Sequence, residues 1–272
     1  MSTGKISPRG LWTTRVSNLP TQLLICDETG AQVLPKTSLD VREVLCWKGL
    51  HLFDARQYGE DLGNIVGGIP QMRIQRYLDR FYLWIPEFNQ DRRQSLLDSF
   101  FSLIADEYES LIDVGRNLGN IQNLLRLVCE LTGPSEGSAV IDFGCGTGLS
   151  LNAAPEYKVS IVGVERCVLM RAHASARGMT VWSPGDLARQ PRDSLPAAFA
   201  SYVLHLLPHT DGVRLLWSRL KPGGVLVANF HKGQGIEQIN TCLRENRCRI
   251  LRLKPPVGSD LHGPYIAYAK EA

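Results

Sequence analysis

The 272-residue sequence has almost no excess of charge of either sign. Lys and Arg number 30 against 27 Asp and Glu, which gives a formal net charge of +3. This balance favours neither a nucleic acid nor a membrane surface as a partner. A local cluster of arginines has acids among and beside it, and we interpret it as the solvated face of a helix: Arg73, Arg76, Arg80, Arg92 and Arg93.

Long apolar segments are also lacking. No run reaches the roughly 18 apolar residues of a membrane-spanning helix, so none is predicted. The N-terminal stretch M-S-T-G-K-I-S-P-R-G has no apolar core of the kind that a secretory signal peptide needs. The sequence therefore predicts a cytoplasmic protein.

Paired cysteine motifs are missing as well. The seven cysteines are odd in number, scattered, and form no C-x-x-C pair. The sequence therefore predicts neither a zinc site nor a disulfide framework, and it fits a reducing compartment. The cysteines are Cys26, Cys46, Cys129, Cys145, Cys167, Cys242 and Cys248.

The most informative segment is V-I-D-F-G-C-G-T-G, from Val140 to Gly148. A buried strand would end at the acid, and three glycines at alternate positions would let the backbone turn sharply and approach a ligand without a Cβ in the way. A helix from about Leu149 would then aim free N–H groups at that ligand. A dinucleotide-binding G-x-G-x-x-G turn would need its third glycine at position 149, and here the third glycine is Gly148.

Short apolar runs followed by polar residues continue after this turn. Glu165 directly follows Val159–Val164, and Asp186 lies in S-P-G-D-L after Met179–Trp182. An acid at the end of a second strand, about 20 residues past such a turn, can accept hydrogen bonds from both ribose hydroxyls of a nucleotide. Ala197–Leu207 is typical of a fourth strand. Arg219–Phe230 is typical of the end of a helix, followed by a Pro-Gly-Gly turn and a fifth strand.

These elements, in this order and spacing, resemble class I S-adenosylmethionine-dependent methyltransferases that act on small molecules. The resemblance covers residues 94–272, and residues 1–93 form an N-terminal extension that resembles no family. It implies an α/β fold: a doubly wound, seven-stranded Rossmann-like sheet with helices on both faces. Cys248–Lys254 and Tyr265–Lys270 would close the sheet with an antiparallel hairpin.

The resemblance also implies S-adenosyl-L-methionine as cofactor and a set of residues that bind it. Glu165 would accept from the ribose, Asp186 from the adenine amino group, and Tyr108 would lie against the methionine end. Asp142 would either anchor the glycine turn by accepting backbone N–H bonds, which we favour, or contact the cofactor through water. The full predicted set is Tyr108, Asp142, Gly144, Cys145, Gly146, Gly148, Glu165, Arg166, Asp186, Leu187 and Tyr202.

The acceptor side offers histidines that follow predicted strands. His205 and His231 would both face the carboxyl edge of the sheet, where ligands of doubly wound sheets bind, so each is a candidate general base. His209 is a weaker third candidate, and Tyr202 and Asn229 are candidates for contact with the acceptor. The sequence contains neither Asn-Pro-Pro-Tyr nor Pro-Cys, which argues against methylation of nucleic-acid bases. No metal ligands are predicted.

The N-terminal third and the segment before the glycine turn carry several local predictions. Gln22–Cys26 and Gln32–Leu34 would form a hairpin, and Thr37 or Ser38 would cap a helix that ends near Trp47. Met72 to Tyr82 has apolar residues at helical spacing. The aromatic side chains of this region would line an acceptor pocket, or form a plain core or a dimer interface: Trp47, Tyr58, Tyr77, Phe81, Tyr82 and Trp84.

Asp91–Leu131 would form two helices, the second from about Leu118 and ended by Gly133-Pro134.

Three hypotheses for function follow. The first is a methyltransferase that moves a methyl group to an O or N atom of a small metabolite, in specialised metabolism, with a homodimer as a further option. The second is a non-catalytic methyltransferase-like binding or regulatory protein. The third is a NAD-dependent oxidoreductase, which Glu165 would serve equally well but Leu149 disfavours.

Overall fold

The structure is a computed structural model, and it describes two compact units, Met1–Phe100 and Phe101–Ala272. The described residues are 21–26, 40–47, 50–56, 73–77, 80–84, 98, 101–102, 104–204, 210–253 and 262–271, and the strands before residue 98 are described by their backbone. Gln32–Leu34, Thr37, Ser38, Tyr58, Arg92 and Arg93 lie outside these ranges.

The described part of the first unit up to residue 84 is a five-stranded sheet with the order β2-β3-β1-β5-β4. The pairs β2–β3, β1–β3 and β4–β5 are antiparallel, whereas β1 and β5 are parallel. The strands are β1 (Thr21–Cys26), β2 (Asp40–Trp47), β3 (Leu50–Arg56), β4 (Arg73–Tyr77) and β5 (Arg80–Trp84).

Two helical predictions for this unit are wrong. The segment up to Trp47 is strand β2, and the segment around Tyr77 forms β4 and β5. Apolar residues three or four apart in so short a window fit either period, and the β-branched and aromatic residues of these segments favour strands. In addition, β2 and β3, like β4 and β5, are separated by only two residues, so each strand has its pairing partner close by. The arginines at 73, 76 and 80 accordingly lie on strands, not on a helix face.

The second unit is built on a seven-stranded sheet, which confirms the predicted fold. Its order is β11-β12-β10-β9-β6-β7-β8. The five strands from β6 to β10 pair in parallel, and β12 is antiparallel to both β10 and β11. The strands are β6 (Ala139–Phe143), β7 (Ser160–Val164), β8 (Thr180–Trp182), β9 (Leu195–Ala200), β10 (Leu220–Asn229), β11 (Cys248–Leu253) and β12 (Tyr265–Lys270).

Helices cover both faces of this sheet because successive strand residues point to opposite sides. On one side Val140, Phe199 and Val227 are buried in a cluster that includes Leu124 and Leu125. On the other side the alternate strand residues, such as Ile141, Ala198 and Leu226, are buried with residues of three further helices. The helices are α1 (Tyr108–Leu111), α2 (Val114–Thr132), α3 (Ala154–Tyr157), α4 (Val168–Ala176), α5 (Pro184–Arg189), α6 (Thr210–Arg219) and α7 (Ile236–Arg244).

The helices before the glycine turn differ from the prediction at their starts. α2 begins four residues before Leu118, because the Asp113 side chain caps it by accepting from the Arg116 N–H at 2.9 Å. It ends as predicted at Gly133, whose φ is 53°. In the predicted first helix, the described residues Asp98, Phe101, Ser102 and Ile104 are helical, and a short 3₁₀ turn (Ala105–Glu107) and α1 follow them.

The helix predicted from Leu149 is also shorter than expected. The chain forms a 3₁₀ turn over Leu149–Asn152 and then the single turn of α3. Pro155 explains the break, since it has no N–H to donate to a carbonyl of the preceding turn and its ring disfavours a continuous helix.

Candidate active site

The glycine turn follows β6 and is held by the end of the neighbouring strand β7. The N–H groups of Gly144 and Cys145 both donate to the Val164 carbonyl, at 2.7 and 3.2 Å. The three glycines have φ values of 81°, 54° and 83°, in the left-handed region that glycine adopts without strain. The shape of the turn therefore depends on backbone conformations that glycine allows.

The three glycines have different surroundings. A Cβ on Gly144 would lie 2.4 Å from Cγ2 of Val203, and one on Gly148 would lie 3.1 Å from Cα of Ala174. A Cβ on Gly146 would meet nothing nearer than the Tyr108 ring, at 4.0 Å. Gly144 and Gly148 thus permit close packing within the protein, while Gly146 leaves an open face beside Tyr108.

Cys145 packs into the interior of the turn. Its sulfur occupies the space left by Gly163, where a Cβ would lie 2.5 Å from it. Burial raises the pKa of this thiol, and the nearby carboxylates of Asp142 and Glu165 raise it further. A thiol held protonated in this way is a poor nucleophile, so Cys145 acts as a small space-filling residue.

Glu165 is bound to the turn through backbone amides. One carboxylate oxygen accepts from the Gly146 N–H at 3.0 Å, and the other accepts from the Cys167 N–H at 2.8 Å. Arg171 fixes the same loop by donating to the carbonyl of Glu165 at 2.8 Å. Each carboxylate oxygen has more than one lone pair, so the carboxylate can still accept from a ligand lying over Gly146.

Asp142 has a different partner from the one predicted. It is buried, and its carboxylate accepts from the Ser150 hydroxyl at 2.5 Å, whereas Val164 and Glu165 accept from the turn amides described above. Burial raises its pKa to about 7, an effect that the Ser150 hydrogen bond opposes and the charge of Glu165 reinforces. Asp142 therefore joins the strand to the 3₁₀ turn that follows the glycines.

The segment with Tyr108 lies next to the glycine turn. Glu109 accepts from the Thr147 hydroxyl at 2.8 Å and also forms an ion pair with Arg177. These contacts fix the backbone on which Tyr108 sits, with its ring facing Gly146. The predicted contact of Tyr108 with the methionine end of the cofactor stays a prediction.

Asp186 lies on α5 and caps it. Its carboxylate accepts from the Ser183 N–H at 2.8 Å and from the Ser183 hydroxyl at 2.7 Å, while Ser183 accepts in return from the Asp186 N–H. Asp186 also forms an ion pair with Arg189. The hydrogen bonds from Ser183 are the main reason why the pKa of Asp186 is lowered. Two other residues of the predicted cofactor-binding set differ in exposure: Leu187 is buried in the core, and Arg166 is exposed.

Tyr202 lies just after β9, next to the turn. It follows the strand by two residues, and its neighbour Val203 is the side chain packed against Gly144. Tyr202 has a φ of 56°, which is unusual for a bulky residue. Its hydroxyl is hydrogen-bonded to Nδ1 of His262, and its ring meets that of His231 edge to face at a centroid distance of 6.4 Å.

The predicted histidines divide into two groups. His231 is half-buried beside Tyr202, and burial, with the charges of Lys232 and Arg116, lowers its pKa. His205 and His209 lie outside the described residues. His262, which sequence reasoning missed, is the histidine bonded to Tyr202.

Asn229, predicted to touch the acceptor, is instead buried within the protein. Its Oδ1 accepts from the Tyr202 N–H at 2.9 Å and from Asn120 at 3.0 Å, and its Nδ2 donates to the His262 carbonyl at 2.9 Å. Asn120 also donates to Ser201 at 2.8 Å and accepts from the Tyr265 hydroxyl at 2.6 Å. We call these residues the amide network: Asn120, Ser201, Asn229 and Tyr265.

Comparison with known proteins identifies the second unit. Residues 141–228, which run from β6 to β10, match the family model described as a methyltransferase domain. This chain carries a methyltransferase domain, whose cofactor is S-adenosylmethionine. No curated protein matches the chain.

Solved structures similar to this methyltransferase have low sequence identity to it. An amino pentose methyltransferase from Micromonospora echinaspora is 14% identical, with a TM-score of 0.45, over 57% of this chain and 91% of that one. DesVI of Streptomyces venezuelae is 16% identical, with a TM-score of 0.44, over 69% and 100%. A phosphoethanolamine N-methyltransferase of Haemonchus contortus is 15% identical, with a TM-score of 0.42, over 55% and 53%.

The residues around the turn of this methyltransferase fit S-adenosylmethionine, its cofactor. The open face of Gly146 lies between the Tyr108 ring and the Glu165 carboxylate, so an aromatic surface, a bare backbone and a hydrogen-bond acceptor meet at one place. When bound, the cofactor supplies an electrophilic methyl group on a sulfonium sulfur, and the protein's contribution is chiefly positioning. In the described part of the chain, no group of His, Cys, Asp or Glu is arranged to hold a metal ion, and no helix is long and apolar enough to cross a membrane.

Proposed function

We propose that this methyltransferase transfers a methyl group to an O or N atom of a small-molecule metabolite. The observation that carries the proposal is the position of Tyr202. Its neighbour Val203 packs on Gly144 of the cofactor turn, and the Tyr202 hydroxyl is bonded to a histidine. A hydroxyl and an imidazole beside the turn are groups that can orient an acceptor and take its proton.

The absence of particular sequence motifs supports a small acceptor. β9 is followed by Ser201 and Tyr202, where an enzyme that methylates nucleic-acid bases would carry an Asn-Pro-Pro-Tyr motif. The net charge of +3 also gives no general attraction for a polyanion. The family match favours methyl transfer over the oxidoreductase hypothesis.

We propose that the cofactor lies over Gly146, with Tyr108 and Glu165 on either side. The other members of the predicted cofactor site stay predictions: Asp142, Gly144, Cys145, Gly148, Arg166, Asp186, Leu187 and Tyr202. His231 and His205 remain candidate bases under this proposal. A cap or dimerisation role for residues 1–93, a homodimer and a cytoplasmic location also remain predictions.

Two measurements test the proposal. Calorimetric titration should show binding of S-adenosylmethionine and S-adenosylhomocysteine but not of NADH. Methyl-labelled S-adenosylmethionine is then incubated with the protein and a cell extract separated by ultrafiltration into small molecules and macromolecules. Label should enter the small-molecule fraction, and a Glu165→Ala variant should transfer less. Label that enters only the protein or nucleic-acid fraction would contradict the proposal.

A further inference from the structure

Tyr202 is held in a conformation that it would not adopt by itself. Its positive φ of 56° is strained for an aromatic residue. Such strain persists where the surroundings over-determine it, and it is concentrated at functional sites. The Tyr202 N–H is fixed by Asn229 at 2.9 Å, and its hydroxyl is fixed by His262.

A single buried side chain positions both members of this contact. Asn229 accepts from the N–H of Tyr202 and donates to the carbonyl of His262, each at 2.9 Å. Asn120 and Tyr265 hold Asn229 in turn, because Asn120 donates to its oxygen while accepting from the Tyr265 hydroxyl. Side chains of α2, β10 and β12 together thus fix the position of the Tyr202 hydroxyl relative to the His262 imidazole.

The protonation of the two groups follows from their surroundings. Burial raises the pKa of Tyr202, an effect that the charge of Arg116 and its hydrogen bond to the Tyr202 side chain oppose, so at neutral pH the hydroxyl keeps its proton and can donate it to the imidazole. Burial, followed by the positive charge of Arg116, lowers the pKa of His262, which keeps the imidazole neutral and able to accept. The other groups that face the pair are Asp113, whose charge raises the pKa of Tyr202, and His231, whose ring contacts that of Tyr202.

We propose that Tyr202 and His262 form the proton-accepting pair of the methyl-transfer reaction, with Tyr202 as the residue that touches the acceptor. The inference rests on the proposed function and names the base of that same site. The geometry that carries it is the strained tyrosine, the hydrogen bond from its hydroxyl to Nδ1, and the position of Val203 against Gly144.

Atoms and charges balance in the proposed step. The acceptor atom forms a bond to the methyl carbon, and the C–S bond breaks with its electron pair remaining on sulfur. The proton of the acceptor passes to Oη of Tyr202 as the proton of Tyr202 passes to Nδ1 of His262. The positive charge of the sulfonium is therefore replaced by the positive charge of an imidazolium, and no further reactant is needed.

The first test reads the pair without turnover, by NMR of ¹⁵N-histidine-labelled protein with S-adenosylhomocysteine bound. We expect His262 to be neutral at pH 7 with its proton on Nε2, and Tyr202→Phe to shift the Nδ1 signal by removing its donor. A His262→Gln variant assigns the signals. If His262 is protonated at pH 7, or carries its proton on Nδ1, it cannot accept from Tyr202 and the proposal is overturned.

The second test measures label transfer into the small-molecule fraction. Tyr202→Phe and His262→Gln should each lower kcat by about 10²- to 10⁴-fold, as expected for loss of general-base catalysis, with unchanged affinity for S-adenosylhomocysteine. Tyr268→Phe is the matched control, since it removes a buried hydroxyl that donates to Asn240 at 3.0 Å, and it should leave the rate unchanged. An unchanged rate in Tyr202→Phe would overturn the pair. A wild-type protein that transfers no label would refute the proposed function, and the NMR result would still decide the pair.

Discussion

The two halves of the site are built in opposite ways. On the cofactor side, the turn from Gly144 to Gly148 is fixed by its own backbone and by Val164 and Glu165, about 20 residues downstream. On the acceptor side, Tyr202 is fixed by the amide network and His262, which bring together positions from 120 to 265. The first half is therefore local in sequence, and the second depends on the completed fold.

This difference has an energetic counterpart. A turn that relies on glycine conformation fails when a Cβ is added, whatever the rest of the chain does. A buried amide network fails when one member loses its partner, because each remaining polar group then bears the penalty of an unsatisfied hydrogen bond. Substitutions can therefore disrupt one half of the site without the other.

Gly144→Ala should destabilise the protein by about 2–5 kcal/mol, from the left-handed backbone and from overpacking against Val203. Gly178→Ala is the matched control, because Gly178 has a φ of 94° but nothing within 4 Å of an added Cβ. It should lose only the roughly 1–2 kcal/mol of backbone strain. Urea unfolding measures the unfolding free energy of both variants. Equal losses of stability would show that contact with Val203 adds no cost to the substitution of Gly144.

Asn229→Ala should break the acceptor side alone. It leaves the Tyr202 N–H and the His262 carbonyl without their partner, at a cost of about 1–3 kcal/mol in unfolding free energy. Methyl transfer should fall while S-adenosylhomocysteine binds as in the wild type. Asn240→Ala, which removes the buried partner of Tyr268, should lose stability but retain transfer. Loss of cofactor affinity in Asn229→Ala would show that the two halves are not separable.

Glu165→Ala should break the cofactor side alone. We expect the affinity for S-adenosylhomocysteine to fall by about 1–3 kcal/mol, through lost charged hydrogen bonds to the ligand and looser support of Gly146. Calorimetry measures the change, with Glu156→Ala as an exposed-acid control. An affinity equal to that of the wild type would place the ribose elsewhere.

Asp186→Ala should have the smallest effect, because its carboxylate already serves the α5 cap and Arg189. Loss of its half of the capping box should lower stability only slightly, because the carboxylate is exposed to solvent. Ser183→Ala removes the same cap but leaves the acid in place. If Asp186 binds the adenine, only Asp186→Ala weakens binding of S-adenosylhomocysteine, whereas equal affinities in the two variants would reduce Asp186 to a cap.

The same division explains what the sequence could predict. The turn, Glu165 and the order of the C-terminal strands follow from short patterns whose spacing carries the geometry, so the fold of the second unit was predictable. Asn120 and His262 have no such pattern, since a lone Asn in a helix or a lone His after a loop looks like any other polar residue. Pro155 was visible, but its effect on the helix after the turn was missed.

The first unit shows a different limit of sequence reasoning. In the segment that became β5, R-F-Y-L-W, apolar residues fit a helical period only because the window is short. The segment is a strand because it pairs with β4, which ends two residues earlier. The residues of β5 alone do not show that this pairing forms.

The position of β12 has a consequence for biosynthesis. This strand lies between β10 and β11, although both precede it in the chain. Until residues 265–270 have left the ribosome, β10 presents an open edge that another chain can pair with. His262 and Tyr265 also lie in this later part of the chain, after the glycine turn and β10. A nascent chain can therefore form its cofactor turn while its acceptor side is still incomplete.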